Sequence, residues 1–186
     1  MANVTSLLPH HLTDLRNSGL SDETIESMGC YSESNYSKIK VILGRSSIPK
    51  RVGSALVFRF RDFSGELNGY SRLKFDNPRK NRNQKPIKYE SPVGQRNRLY
   101  LPPNTFQHLD DPRSEMLITE GEKKSAKADQ EGFPCIGLVD VYGWKSGKSE
   151  RLLPDLEQVN WQGCKTYIVF DSDLADKPKI RDAESR

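Results

Sequence analysis

Met116-Leu117-Ile118-Thr119-Glu120-Gly121-Glu122-Lys123-Lys124 is a short apolar run that ends in carboxylates and opens into a segment rich in Lys, Ala and Glu. A run of that kind reads as a buried strand. Gly121 lets the chain turn tightly behind it. Glu122 to Glu131 then reads as a helix closed by Gly132. A second strand is expected within 133–141, a short helix or turn within 152–159, and a third strand at 166–170. That last strand repeats the plan: Thr166-Tyr167-Ile168-Val169-Phe170-Asp171-Ser172-Asp173 is again an apolar run that delivers acids. Strand and helix in alternation predict a parallel sheet. In open parallel sheets, ligands gather beyond the carboxyl ends of the strands. If the first and third strands are neighbours, Glu120 faces Asp171 and Asp173. Three carboxylates that close would repel one another without a cation. Magnesium prefers oxygen ligands and phosphate partners, so the pattern points to metal-assisted phosphoryl chemistry. Each motif is weak alone, because a Glu at a helix start is an ordinary dipole partner and Asp is common in turns.

Upstream of this region the texture differs. Pro9 can open a helix with Leu12 and Leu15 on one face and Gly19 at its end. Ser21 can cap a second, with Asp22 and Glu23 in its first turn, Ile25 and Met28 facing inward, and Gly29 as its stop. Together they read as a helical hairpin. Residues 39–43 are weakly apolar and fit neither period. Ala55 to Phe60 reads as a strand, Asp62-Phe63-Ser64-Gly65-Glu66 as a turn, and Leu67 to Lys74 as the returning strand of a hairpin. Further short strands are expected at 87–89 and 99–101. Pro102-Pro103 and the stretch from His108 to Pro112 mark a boundary. The expected organisation is a helical hairpin and linker over 1–49, a basic α+β subdomain over 50–112, and an α/β domain over 113–186.

The chain has 186 residues, 34% hydrophobic and 29% charged, with a formal net charge of +4. No apolar stretch approaches the ~20 residues of a membrane helix. The first residues lack a charged segment followed by an apolar core, so a secretory signal is not expected. Cys30, Cys135 and Cys164 are odd in number and form no Cys-x-x-Cys pair. That argues against a disulfide framework or zinc site and for a cytoplasmic protein. Between Arg72 and Arg98, nine basic residues face only Asp76 and Glu90. A local basic block of this kind suits a polyphosphate partner, although Asn77 to Pro86 has loop composition.

Leu117-Ile118-Thr119-Glu120-Gly121 and Val169-Phe170-Asp171-Ser172-Asp173 resemble the two signature motifs of the TOPRIM superfamily, shared by bacterial-type DNA primases, topoisomerases and some nucleases. The resemblance implies a TOPRIM-like α/β fold with a parallel, Rossmann-like sheet. It implies Glu120 as general acid or base, and Asp171 and Asp173, with Glu120, as ligands for Mg2+ or Mn2+. With Leu153-Pro154-Asp155-Leu156 included, the chain looks more narrowly like an uncharacterised TOPRIM-like family of plasmid, phage and cyanobacterial replication proteins. Leu56 to Asp62, Gly65, Gly69-Tyr70 and Ile87 to Pro92 are similar to the basic subdomain that precedes TOPRIM in primases. On that likeness Arg72, Lys74 and Lys88, joined by Lys123 and Lys124, would contact nucleic acid. The implied function is primase-like nucleotidyl transfer in a replication protein. Its partners would be a single-stranded DNA template, nucleoside triphosphates and a helicase domain or subunit, with no membrane. Two alternatives stand beside it: strand cleavage of nuclease or topoisomerase type, and a non-catalytic module that docks DNA or a helicase. A complete TOPRIM domain continues with another helix and strand after the Asp pair. The chain stops at Arg186, so a domain truncated at its C-terminus is expected. Primases also carry a zinc-binding module, which the cysteine and histidine count excludes here.

Gly143-Trp144-Lys145-Ser146-Gly147-Lys148-Ser149 imitates a phosphate-binding P-loop but is one residue short of its spacing. Pro154 also follows too soon for the long helix that loop requires, so the segment reads as a basic loop. His10, His11 and His108 have no acidic or serine companions at catalytic spacing and are assigned no role. Trp144 and Trp161 are read as packing residues.

Overall fold

The structure, a computed structural model, describes residues 6–146 and 151–170. The described residues divide into two compact units, one of residues 6–61 and 67–95 and one of residues 62–66, 96–146 and 151–170.

The first unit opens with α1 (Pro9–Arg16) and α2 (Asp22–Met28). Ser21 caps α2 by accepting from the Thr24 N–H, and Gly29 closes it in the left-handed region at φ 63°. Strand β1 (Tyr31–Glu33) and helix α3 (Tyr36–Leu43) follow. The segment that fitted neither period is thus the end of a helix. The Asn35 side chain caps α3 at the Ser37 and Lys38 N–H groups, and Ile39 and Leu43 bury the face one turn apart. Strands β2 (Ala55–Arg61) and β3 (Leu67–Phe75) form the expected hairpin, and the antiparallel sheet has the order β1-β2-β3. In the turn between them, Asp62 Oδ1 accepts from the Ser64 and Glu66 N–H groups.

Ala55 and Val57 of β2 join Ile39, Leu43, Val52, Leu73 and Phe75 in one core. Leu56, Phe58 and Phe60 point to the other face and are equally buried. Lys74, opposite Leu56 in the register, reaches Asp14 of α1 at 2.7 Å and so ties α1 to that face. The expected strand at 87–89 is absent: isolated bridges flank that segment, Lys80 to Pro86 and Leu73 to Glu90.

The second unit carries β4 (Glu115–Glu120), α4 (Glu122–Gln130), β5 (Cys135–Leu138) and β6 (Lys165–Val169). The sheet is parallel with the order β5-β4-β6. The expected strand at 99–101 is one bridge, Tyr100 to Gly137, which borders β5. The core gathers Leu99, Leu101, Leu109, Met116, Ile136, Leu138, Leu153, Leu156 and Val159. Trp144 and Trp161 pack against it, as expected, and Trp161 Nε1 donates to the Leu156 carbonyl at 2.7 Å. Asp155, buried, accepts from Arg98 Nε at 2.8 Å and from the Leu99 N–H at 3.0 Å, fastening the segment that enters this unit. Burial pushes the Cys30 and Cys135 thiols up to about 12, in keeping with cysteines that serve as small core residues. Among the described residues, no helix is long and apolar enough to cross a membrane.

Candidate metal and nucleic-acid site

Strand β4 lies at the centre of the parallel sheet, hydrogen-bonded to β5 on one side and β6 on the other. The register places Thr119 opposite Val169, and Glu115 opposite Lys165 at the other end. Lys165 Nζ stands 3.3 Å from the Glu115 carboxylate, an exposed cross-strand pair that agrees with this alignment. At the carboxyl end, the Thr119 hydroxyl donates to the Val169 carbonyl at 2.7 Å. Strands β4 and β6 therefore end together, on one edge of one sheet. Glu120 is the last residue of β4 and is half-buried there. Asp171 and Asp173 lie outside the described residues, just past Phe170.

Gly121 has φ 92° and ψ 153°, a backbone region that is essentially glycine-only. Nothing lies within 4 Å of where a Cβ would stand, so its backbone angles demand the glycine, not crowding. Its N–H donates to the Leu138 carbonyl at 2.7 Å, and α4 starts immediately after it. Strand, glycine turn and helix thus hold Glu120 at the sheet edge. Glu122, in the first turn of α4, is only 2% exposed, a buried carboxylate to which the sequence reading gave no role. The helix dipole favours an acid at that place. Ser125, one turn on, donates from its hydroxyl to the Gly121 carbonyl at 3.0 Å and locks that turn. Carboxylate oxygens at such an edge are the donor set that a hard cation such as Mg2+ takes.

The basic residues divide. Lys123 is half-buried and Lys124 exposed, both in the first turn of α4. Lys88 is exposed. Lys74 is held by Asp14. Arg72 is 7% exposed, with its guanidinium carbon 5.0 Å from the centre of the Tyr89 ring. Within the same block, Arg79 is engaged by Glu90 and Arg98 by Asp155.

Two histidines have companions that sequence spacing hides. His10 Nε2 and His11 Nε2 stand 2.8 and 2.9 Å from the same oxygen, Asp76 Oδ1, and His11 Nδ1 stands 2.7 Å from Ser32 Oγ. His108 Nδ1 lies 3.2 Å from the Ser114 hydroxyl. Partners 65 residues away in sequence leave no local signal. Burial holds His11 below its ordinary value, against the opposing pull of Asp76. Burial pushes the Asp76 carboxyl up, but hydrogen bonds from His10, His11 and the Ser54 N–H outweigh it and hold it below the usual range.

Residues 107–186 match a family described as a domain of unknown function, DUF3854. An uncharacterised protein of Picosynechococcus sp. is 29% identical over 62% of this chain and 15% of its own length. The chain is also similar to solved primase structures. The DnaG primase catalytic domain bound to single-stranded DNA superposes with a TM-score of 0.58 at 16% identity, covering 95% of this chain and 59% of that one. The DnaG catalytic core gives 0.60 at 15% identity, with 96% and 58% covered. The Aquifex aeolicus primase, with its zinc-binding and RNA polymerase domains, gives 0.63 at 12% identity, with 95% and 45% covered. The chain thus spans about half the length of those primase chains and a small part of the cyanobacterial relative. At these identities the likeness is one of fold: a TOPRIM-like α/β fold with a parallel sheet, preceded by a small basic α+β subdomain and an N-terminal helical hairpin.

Proposed function

We propose that this chain is the catalytic portion of a DNA primase-like nucleotidyltransferase, working on a single-stranded DNA template within a plasmid or phage replication protein. The observation that supports the reading is the pairing of β4 with β6, Thr119 opposite Val169, which brings the carboxyl ends of these two strands to one sheet edge. Glu120, Asp171 and Asp173 would hold Mg2+ or Mn2+, which supplies charge stabilisation for the transferring phosphate. Glu120 serves as general acid or base at the reacting oxygen. The exposed basic residues Lys88 and Lys124, with Lys123, hold template or nucleoside triphosphate, and a helicase domain or subunit is the natural partner. The test is primer synthesis on single-stranded DNA with Mg2+, by the protein that carries this chain. Glu120→Gln, Asp171→Asn and Asp173→Asn should each reduce it by at least about a hundredfold, the range expected for a lost acid–base group or metal ligand. Undiminished synthesis in all three variants would remove the mechanism. Magnesium-dependent nicking of plasmid DNA in place of synthesis would shift the same acids to strand cleavage.

A further inference from the structure

The His10, His11 and Asp76 side chains meet in the first unit, on the face of the antiparallel sheet where α1 begins. Among the described residues, their ligand atoms form a group that lies within 4.8 Å of one another. Consecutive residues on a helix normally diverge. Here both imidazoles converge on one carboxylate oxygen, with ring centres 4.2 Å apart. We propose that His10 Nε2, His11 Nε2 and Asp76 Oδ1 bind one divalent transition-metal ion of the zinc class, with water completing the coordination.

The supporting contacts are those a metal ligand needs from its neighbours. Asp76 Oδ2 accepts from the Ser54 N–H at 2.9 Å, which leaves Oδ1 turned to the histidines. Gly53, at φ 74°, makes room for that carboxylate: a Cβ there would stand 3.0 Å from Asp76 Oδ2. His11 is buried, and its other nitrogen faces Ser32 Oγ, which is itself fixed by the Leu8 N–H at 2.7 Å. Ligating histidines characteristically hand their second nitrogen to such a partner. With an ion bound, Nδ1 carries the proton and donates it to Ser32 Oγ, and Nε2 turns its lone pair to the metal. Metal–nitrogen distances of about 2.0–2.1 Å call for ligand atoms somewhat more than 3 Å apart, so each ring need withdraw by only about half an ångström. The His10 side chain is 57% exposed, which leaves a path for the ion and a place for water. Two imidazoles and one carboxylate select zinc, cobalt or nickel over magnesium, in contrast to the all-carboxylate set built around Glu120. The ion would clip the start of α1 to the end of β3.

Cobalt(II) reports the site directly, because its visible absorption depends on the ligands it binds. The chain, freed of any histidine tag and stripped with chelator, should take up one equivalent of cobalt with saturable visible bands, and zinc should displace it. His10→Ala should weaken cobalt binding at least tenfold while lowering the metal-free melting temperature only slightly, since His10 is exposed and His11 and the Ser54 N–H still hold Asp76. His108→Ala and the Asp171→Ala/Asp173→Ala double variant should titrate like the parent. Absence of a saturable one-equivalent phase, or parent-like binding by His10→Ala, overturns the proposal. So does loss of the bands in the Asp171/Asp173 variant, which would assign the ion to the other acids.

Discussion

Glu90 is 4% exposed and takes two guanidinium groups. Arg79 engages it with Nε at 2.7 Å and with Nη2, and Arg45 Nη2 approaches to 3.4 Å. The Glu90 carboxylate raises the Arg79 pKa further above its already high value. The basic block of the sequence is therefore part scaffold: Arg79 neutralises a buried acid. Removing the acid leaves two cations facing a partly desolvated hole. Glu90→Ala should cost about 3–5 kcal/mol of folding stability, the usual result of breaking a buried pair from one side. Urea unfolding followed by circular dichroism measures it. A cost below about 1 kcal/mol would mean the pair is effectively solvated, as surface pairs are. The same scale explains what the sequence concealed. Glu90 and Arg79 lie eleven residues apart across a loop, and His11 and Asp76 lie 65 apart. No periodic pattern links such pairs; only the folded backbone does.

At the scale of elements, legibility follows periodicity. The strand–glycine–helix passage at 115–130 and the β2–β3 hairpin were readable because an apolar run, a turn residue and a helix-forming run succeed one another within a few residues. Helix α3 was not, because Ile39, Val41 and Ile42 are β-branched and favour strands in isolation. Burial of Ile39 and Leu43 one turn apart overrides that preference. The segments at 87–89 and 99–101 have strand composition, but the first only lies between isolated bridges at Pro86 and Glu90 and the second holds a single bridge, at Tyr100, which composition does not foretell. One of those bridges controls how closely the layers of the second unit pack. The Gly137 N–H and carbonyl exchange hydrogen bonds with Tyr100 at 2.9 and 2.8 Å. A Cβ on Gly137 would stand 2.6 Å from Ser125 Oγ and 3.2 Å from the Tyr100 Cβ. Ser125 is fully buried and its hydroxyl is bonded to the α4 backbone, so it has nowhere to retreat. Gly137→Ala should therefore push α4 off β5 at a cost of about 1–3 kcal/mol, typical of overpacking. Because only Gly121 separates Glu120 from α4, Mg2+ affinity should fall with it. The thermal midpoint and a magnesium titration of the same variant test both statements, and an unchanged midpoint would show that the contact has slack.

At the scale of the whole chain, the formal charge of +4 hides an uneven distribution of usable cations. Lys74 serves Asp14, Arg79 serves Glu90, and Arg72 is buried beside Tyr89. Lys80, Arg82, Lys85 and Lys88 are exposed. If single-stranded DNA binds the chain as proposed, the exposed set carries the phosphate contacts, and each contact contributes about 0.7 to the slope of log affinity against log salt. Lys88→Ala should weaken binding to a fluorescent oligothymidine and flatten that slope by about 0.7. Lys74→Ala should leave the slope unchanged, because its ammonium is committed to Asp14 2.7 Å away. Fluorescence anisotropy across a sodium chloride series separates the two. Equal slopes for Lys88→Ala and the parent would remove Lys88 from the interface and leave the phosphate contacts to the other exposed cations, Lys80, Arg82, Lys85 and Lys124.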